Sequence, residues 1–171
     1  MVRGVIYDAQ VWLLIRLTPF ISEENCFALK GGTAINLFIR DFPLLSVDID
    51  LVYLPSHGRQ EALEKIKQGI DRISQRIKSV IYPIQIIKSY EDKDDALRLV
   101  IVHAGVTIKI ELSPVLRGTV LPSAIRSVTD VVEEEFGYAE MLVVSDEDLY
   151  AGKLCAAFDR QHPRDFFDLK V

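Results

Sequence analysis

The sequence predicts an α+β fold, a mixed β-sheet with helices packed over it. Three observations carry this. Val47 to Leu54 and Val106 to Leu112 alternate apolar and polar residues at the period of a strand. Arg59 to Ile81 repeats apolar residues at steps of three and four, the period of a helix. Ala104-Gly105 makes a tight turn between two strand-like runs, which implies an antiparallel hairpin.

The elements follow in order. The opening MVRGVIYDAQVWLLIRL is apolar but interrupted by Asp8, Gln10 and Arg16. It is too short and too charged to span a bilayer and has no small-residue cleavage site, so it reads as a buried helix or one that meets a partner, with Trp12 in the core. A short strand is expected around Phe27 to Leu29, then a Gly-Gly turn, then a short helix from Thr33 to about Arg40. In the strand Val47 to Leu54, Val47, Ile49, Leu51 and Tyr53 share one face, and Asp48, Asp50 and Val52 the other. The helix from Arg59 places Leu63, Ile66, Ile70, Ile73, Ile77 and Val80 on one stripe, suited to packing on a sheet rather than to a coiled-coil seam.

Pro83 stops that helix. Ile84 to Lys88, Ala96 to His103 and Val106 to Leu112 read as strands, with Tyr90 to Asp95 a charged turn among them. Pro114 to Ala139 shows no clear period. Met141 to Val144 is a short strand, and Ser145 caps a helix that runs to about Arg160, with Asp146, Glu147 and Asp148 at its positive end. There is no repeat, low-complexity run or linker, so residues 1–171 read as a single domain.

Composition excludes several classes. The chain has 171 residues, 49% of them hydrophobic and 26% charged, which rules out a disordered tail or a disulfide-stapled miniature. A net charge of −5 argues against general coating of nucleic acid, though not against a local basic site. Cys26 and Cys155 are far apart with no metal-type spacing, which suggests reduced thiols and a cytoplasmic setting, with Cys155 buried. His57, His103 and His162 form no zinc pattern.

Four pieces could carry chemistry. Lys30-Gly31-Gly32-Thr33 lies between a strand and a helix. Its glycines let backbone approach a phosphate, although such turns are also common as plain structure. Asp48-Ile49-Asp50 puts two carboxylates on one strand face, with Cα atoms roughly 6.6 Å apart. Such a pair suits a hard divalent ion, or a solvated strand face. Lys109-Ile110-Glu111 would bring a third carboxylate if its strand lay beside the first, or it is simple charge alternation. Finally, Lys153 and Arg160 share a helical face with the small Ala156 and Ala157 between them, a face able to hold cations toward a phosphate chain.

The order of these pieces resembles the nucleotidyltransferase superfamily. More narrowly, LKGGTAINLFIRDFPLLSVDIDL, KIEL and KLCAAFDRQHPRDFFDL are similar to the AbiEii/AbiGii-type toxin nucleotidyltransferases. The resemblance implies a nucleotidyltransferase-like core. It assigns Lys30, Gly31, Gly32 and Thr33 to the nucleoside triphosphate, with Lys153 and Arg160 on its phosphates. Asp48 and Asp50 would be ligands of Mg²⁺ or Mn²⁺, with Glu111 as the third acidic position and a candidate base. Asp165 would orient Lys153 or the substrate. The implied activity is metal-dependent transfer of a nucleoside monophosphate to an RNA hydroxyl, with tRNA favoured, in a toxin paired with an antitoxin.

The resemblance departs in two places. Leu44 stands where family members carry Arg, leaving Arg40 as the substitute cation. Most of the family's helical C-terminal region is also expected to be missing. These departures keep open a nucleotide- or protein-binding module of the same fold. The compact length also admits a small-molecule nucleotidyltransferase.

Overall fold

In a computed structural model, residues 4–41, 46–89, 97–113 and 115–160 are described, Arg160 by its backbone alone. The opening apolar run forms α1 (Val5–Ser22). Tyr7, Val11, Leu13, Leu14, Ile15, Leu17 and Ile21 are buried, so most of the helix faces the core. Val5, Trp12, Arg16 and Pro19 form the outward stripe, at helical spacing. Trp12 is therefore not a core residue as expected. It is 56% exposed, its ring edge-on to Phe136 at 5.9 Å.

Five further elements follow the apolar patterns. They are β1 (Phe27–Lys30), α2 (Gly31–Phe38), β2 (Ile49–Tyr53), α3 (Arg59–Val80) and β3 (Gln85–Lys88). The regular strand β2 is shorter at both ends than the alternating run Val47 to Leu54, and Val52, on the same side as Asp50, is buried. In α3, Ile66, Ile70, Ile73 and Ile77 are buried while Val80 is exposed, and the helix packs on α1 and the sheet. This is the helix-on-sheet arrangement.

A Cβ added at Gly69 of α3 would lie 2.8 Å from two ring carbons of Phe27. That ring is 2% exposed and cannot swing away cheaply. We expect Gly69→Ala to destabilise the protein by about 1–2 kcal/mol in urea unfolding, the overpacking cost exceeding alanine's helix preference. A stabilised variant would show that the ring yields.

The predicted hairpin is β4 (Leu97–His103) and β5 (Val106–Leu112). Ala104 and Gly105, both at positive φ, make the two-residue turn that pairs His103 with Val106. The segment with no legible period contains β6 (Ala124–Ser127) and α4 (Asp130–Phe136), followed by β7 (Glu140–Val143) and α5 (Asp146–Arg160). Ser145 caps α5, accepting the Asp148 N–H at 3.1 Å. The Asp148 carboxylate reaches outward and accepts the N–H groups of Val120 (3.1 Å) and Leu121 (2.8 Å). Those bonds hold its carboxyl below the ordinary carboxylate range. Cys26 is half-buried, and Cys155 on α5 is exposed, contrary to expectation.

The strands form one seven-stranded mixed sheet in the order β3-β4-β5-β2-β1-β7-β6. At its centre β2 runs antiparallel to β1 and parallel to β5. The face carrying Leu97, Leu99, Ile101, Ile108, Ile110 and Leu112 is buried. On β4 and β5 the other face is half-buried to exposed and carries Arg98, Thr107, Lys109 and Glu111. Among the described residues, no helix is long and apolar enough to cross a membrane.

Candidate active site

Strand β1 runs into α2 without a loop. The expected turn at Gly31-Gly32 collapses into one residue, because Gly31 takes φ +80° and redirects the chain by itself. A Cβ at Gly31 would stand 2.5 Å from Asp50 Oδ2. One at Gly32 would stand 2.8 Å from Ser46 Oγ and 3.6 Å from Lys153 Nζ. Bare backbone therefore lies directly against a carboxylate and an ammonium. The first N–H groups of α2 have no intrahelical acceptor, and the N-cap residue Lys30 makes no side-chain cap bond to them. They form a short positive end beside those groups.

Strand register builds the rest. Lys30 pairs with Asp50, Asp50 with Glu111, and Glu111 with Arg98, so four charged residues form one row across β1, β2, β5 and β4. Cross-strand partners share a face, and on β4 and β5 this is the half-buried to exposed one. The row reads cation, anion, anion, cation. Burial pushes the Asp50 carboxyl up to about 6; Lys30 and Lys153 pull against this, while Glu111 and Asp48 add to it. Asp48, just before β2, is exposed.

Glu111 stands beside Asp50 in register and also meets Arg98. Its Oε1 lies 2.6 Å from Arg98 Nε across the hairpin. The Nε–H is not directed along that contact, so the pair is a charge contact rather than an aligned hydrogen bond. Among the described residues, no three His, Cys, Asp or Glu side chains gather as a metal site. Glu111 thus lies between Asp50, its register partner on β2, and Arg98, its register partner on β4. A half-buried Asp50 with raised proton affinity and an exposed Asp48 two residues before it fit a divalent cation, whose charge would relieve both.

Thr33 follows Gly32 in the first turn of α2. It is fully buried, and its hydroxyl donates to the Asp48 carbonyl at 2.5 Å and lies 3.3 Å from Ser46 Oγ. Its side chain fastens the aspartate segment to α2. Lys153 reaches the start of α2 from α5, and Lys30 flanks Asp50. The Arg40 guanidinium sits 5.9 Å from the ring centre of Tyr150 on α5. Leu44, Asp165 and the side chain of Arg160 lie outside the described residues. Sequence reasoning passed over Ser46 and Arg98. The signal for Arg98 was available: it is the one charge inside the apolar run LRLVIV.

A cradle of uncapped N–H groups, two aspartates and two lysines can hold a polyphosphate and its counter-ion beside an open sheet face. No curated protein and no solved structure matches the chain. One family model does, described as nucleotidyl transferase AbiEii toxin of a type IV toxin–antitoxin system, over residues 12–171. That match covers essentially the whole chain, site included, and the chain belongs to the AbiEii family of nucleotidyl transferase toxins.

Proposed function

We propose that the protein transfers a nucleoside monophosphate from a nucleoside triphosphate to a hydroxyl of RNA, with tRNA as the favoured acceptor and Mg²⁺ or Mn²⁺ held by Asp48 and Asp50. One observation carries this reading: the uncapped start of α2, the Asp50 carboxylate and the Lys153 ammonium meet around Gly31 and Gly32. The N–H groups of α2 bind non-bridging phosphate oxygens, which only glycine backbone lets approach so closely. Lys153 places its charge on the same phosphates. Lys30, beside Asp50 on β1, compensates the aspartates while the site is empty of substrate.

When bound, the divalent ion neutralises the triphosphate and the departing pyrophosphate. Thr33 fixes the aspartate segment through the Asp48 carbonyl, so the carboxylates are preorganised. Glu111 stays with Arg98 on the open side of the sheet, where an acceptor end can approach. In this reading the protein works in the cytoplasm, in a system that includes an antitoxin.

The test is incubation with each labelled triphosphate, Mg²⁺ and total tRNA. Label should enter tRNA with the wild-type protein, and Asp48→Asn and Lys153→Met should each lower the rate at least about 100-fold. Equal labelling by wild type and Asp48→Asn would refute the reading.

A further inference from the structure

We infer that the open face of β3, β4 and β5 holds the acceptor as an unpaired RNA end, with Lys109 on a phosphate next to the reacting end. The inference rests on the transferase reading above and names the form in which its acceptor is bound. Register lays the face out in rows. Lys109 of β5 pairs with Val100 of β4, and Val100 with Ile87 of β3. The next row is Thr107, Val102 and Gln85. Partners across strands share a face, and the residues between them on β4 and β5 are buried on the other. Gln85, Ile87, Thr107 and Lys109 are exposed, and Val100 and Val102 are half-buried.

Two features suit a nucleic-acid strand. The first is charge. In the adjoining row Lys30 stands with Asp50 and Glu111 with Arg98, so its charges cancel. Lys109, two residues from Glu111 along β5, is a surplus cation, and among the described residues it makes no ion pair. The face is thus locally positive on a chain whose net charge is −5. Two residues of a strand span about 7 Å, one nucleotide step of an extended chain. The second feature is apolarity. A sheet face that meets only water carries polar residues outward. Here Val100 and Val102 stand at the centre, with Ile87, 49% exposed, beside them. A duplex turns phosphate and ribose outward and hides its base faces in the stack. An unpaired end exposes those faces and gives the three side chains an apolar partner beside a phosphate.

Binding of the full chain to a fluorescently labelled hairpin RNA tests this, read by anisotropy across a salt series. The hairpin with a short unpaired end should bind about tenfold more tightly than the same hairpin with a blunt end. Lys109→Met should weaken binding about fivefold and lower the salt slope by about one, the counter-ion of one phosphate. Lys109→Arg should restore both readings. Ile87→Ser removes no charge and should weaken binding about threefold at the wild-type slope. Lys78→Met, on the exposed side of α3, makes the same change of net charge as Lys109→Met and should bind as wild type does. Equal losses in those two variants would reduce the effect to net charge and overturn the inference. So would equal binding of the two hairpins, no binding of either, an unmoved slope in Lys109→Met or wild-type binding by Ile87→Ser. The transfer assay separates the two readings. If wild type labels tRNA and Asp48→Asn does not, while Lys109→Met binds RNA as wild type does, only this docking face falls. If label enters protein hydroxyls and not RNA, both readings fall.

Discussion

Asp50→Asn is expected to make the protein more stable at neutral pH and to lower transfer by roughly 1,000-fold, about 4 kcal/mol of barrier. The two effects have one source. Burial, with Glu111 and Asp48 nearby, holds the Asp50 carboxyl near 6 in place of the ordinary 3.8, and Lys30 and Lys153 compensate only in part. Between those values the folded chain binds a proton that the unfolded chain has released. Stability contributed by this group is therefore complete below about pH 4, falls as pH rises through 6, and stays low above it. A tenfold change in proton affinity is about 1.4 kcal/mol. Asp50 is not sealed from water, which leaves about 2 kcal/mol after screening.

Asparagine has the same shape and no charge. In metal-free buffer the variant should match wild type near pH 4 and melt several degrees higher above pH 7. Mg²⁺ should raise the melting temperature of wild type and leave the variant unmoved. A variant that melts below wild type at pH 8 without metal would show that Lys30 and Lys153 already satisfy the carboxylate.

The parts of this site that the sequence made legible are those whose signal is local. Alternation along Ile49-Asp50-Leu51 separates the carboxylate from the core without knowledge of any neighbour, and the same holds for Ile110-Glu111-Leu112. What remained hidden depended on pairing. The meeting of Arg98 with Glu111 exists only once β4 and β5 are in register. The bond of Thr33 to the Asp48 carbonyl was hidden because it links segments far apart in the chain. Strand β6 was invisible because it lies at the sheet edge with three of its four residues exposed, so its two faces do not differ. The seven residues of α4 are too few to establish a helical period. Trp12 misled for another reason: size and apolarity favour burial, but its angular position on α1 lies on the outward stripe.

Glu24→Ala is expected to have the largest effect on stability, a loss of about 3 kcal/mol at pH 7. Glu24 is 6% exposed in the turn between α1 and β1. Arg72 of α3 grips it with Nε to Oε1 at 2.9 Å and Nη2 to Oε2 at 2.7 Å, and Arg76 adds Nη2 to Oε1 at 2.6 Å. Arg76 also donates to the Phe20 carbonyl at 3.2 Å and pairs with Glu23, so the carboxylate is the hub joining α3 to the end of α1. Removing one partner of a buried ionic cluster leaves charge without compensation, typically 3–5 kcal/mol. The lower end applies because the Arg72 side chain is about half exposed and can turn to water.

Acid should act in the same direction. The Arg72 hydrogen bonds hold the Glu24 carboxyl below its ordinary value of 4.5, against the opposing pull of burial. Its contribution is then fully present above that value and is lost as pH falls through the lowered one. Urea titrations of wild type from pH 7 to pH 3 should show this loss, and Glu24→Ala should show a shallower slope. The variant Glu24→Leu, Arg72→Met, Arg76→Met removes all three charges together and should recover most of the lost stability, since no charge is left buried alone. If the triple variant is no better than Glu24→Ala, the ionic cluster is itself a net source of stability, and α3 is held to α1 by charge rather than by the isoleucine stripe beneath it.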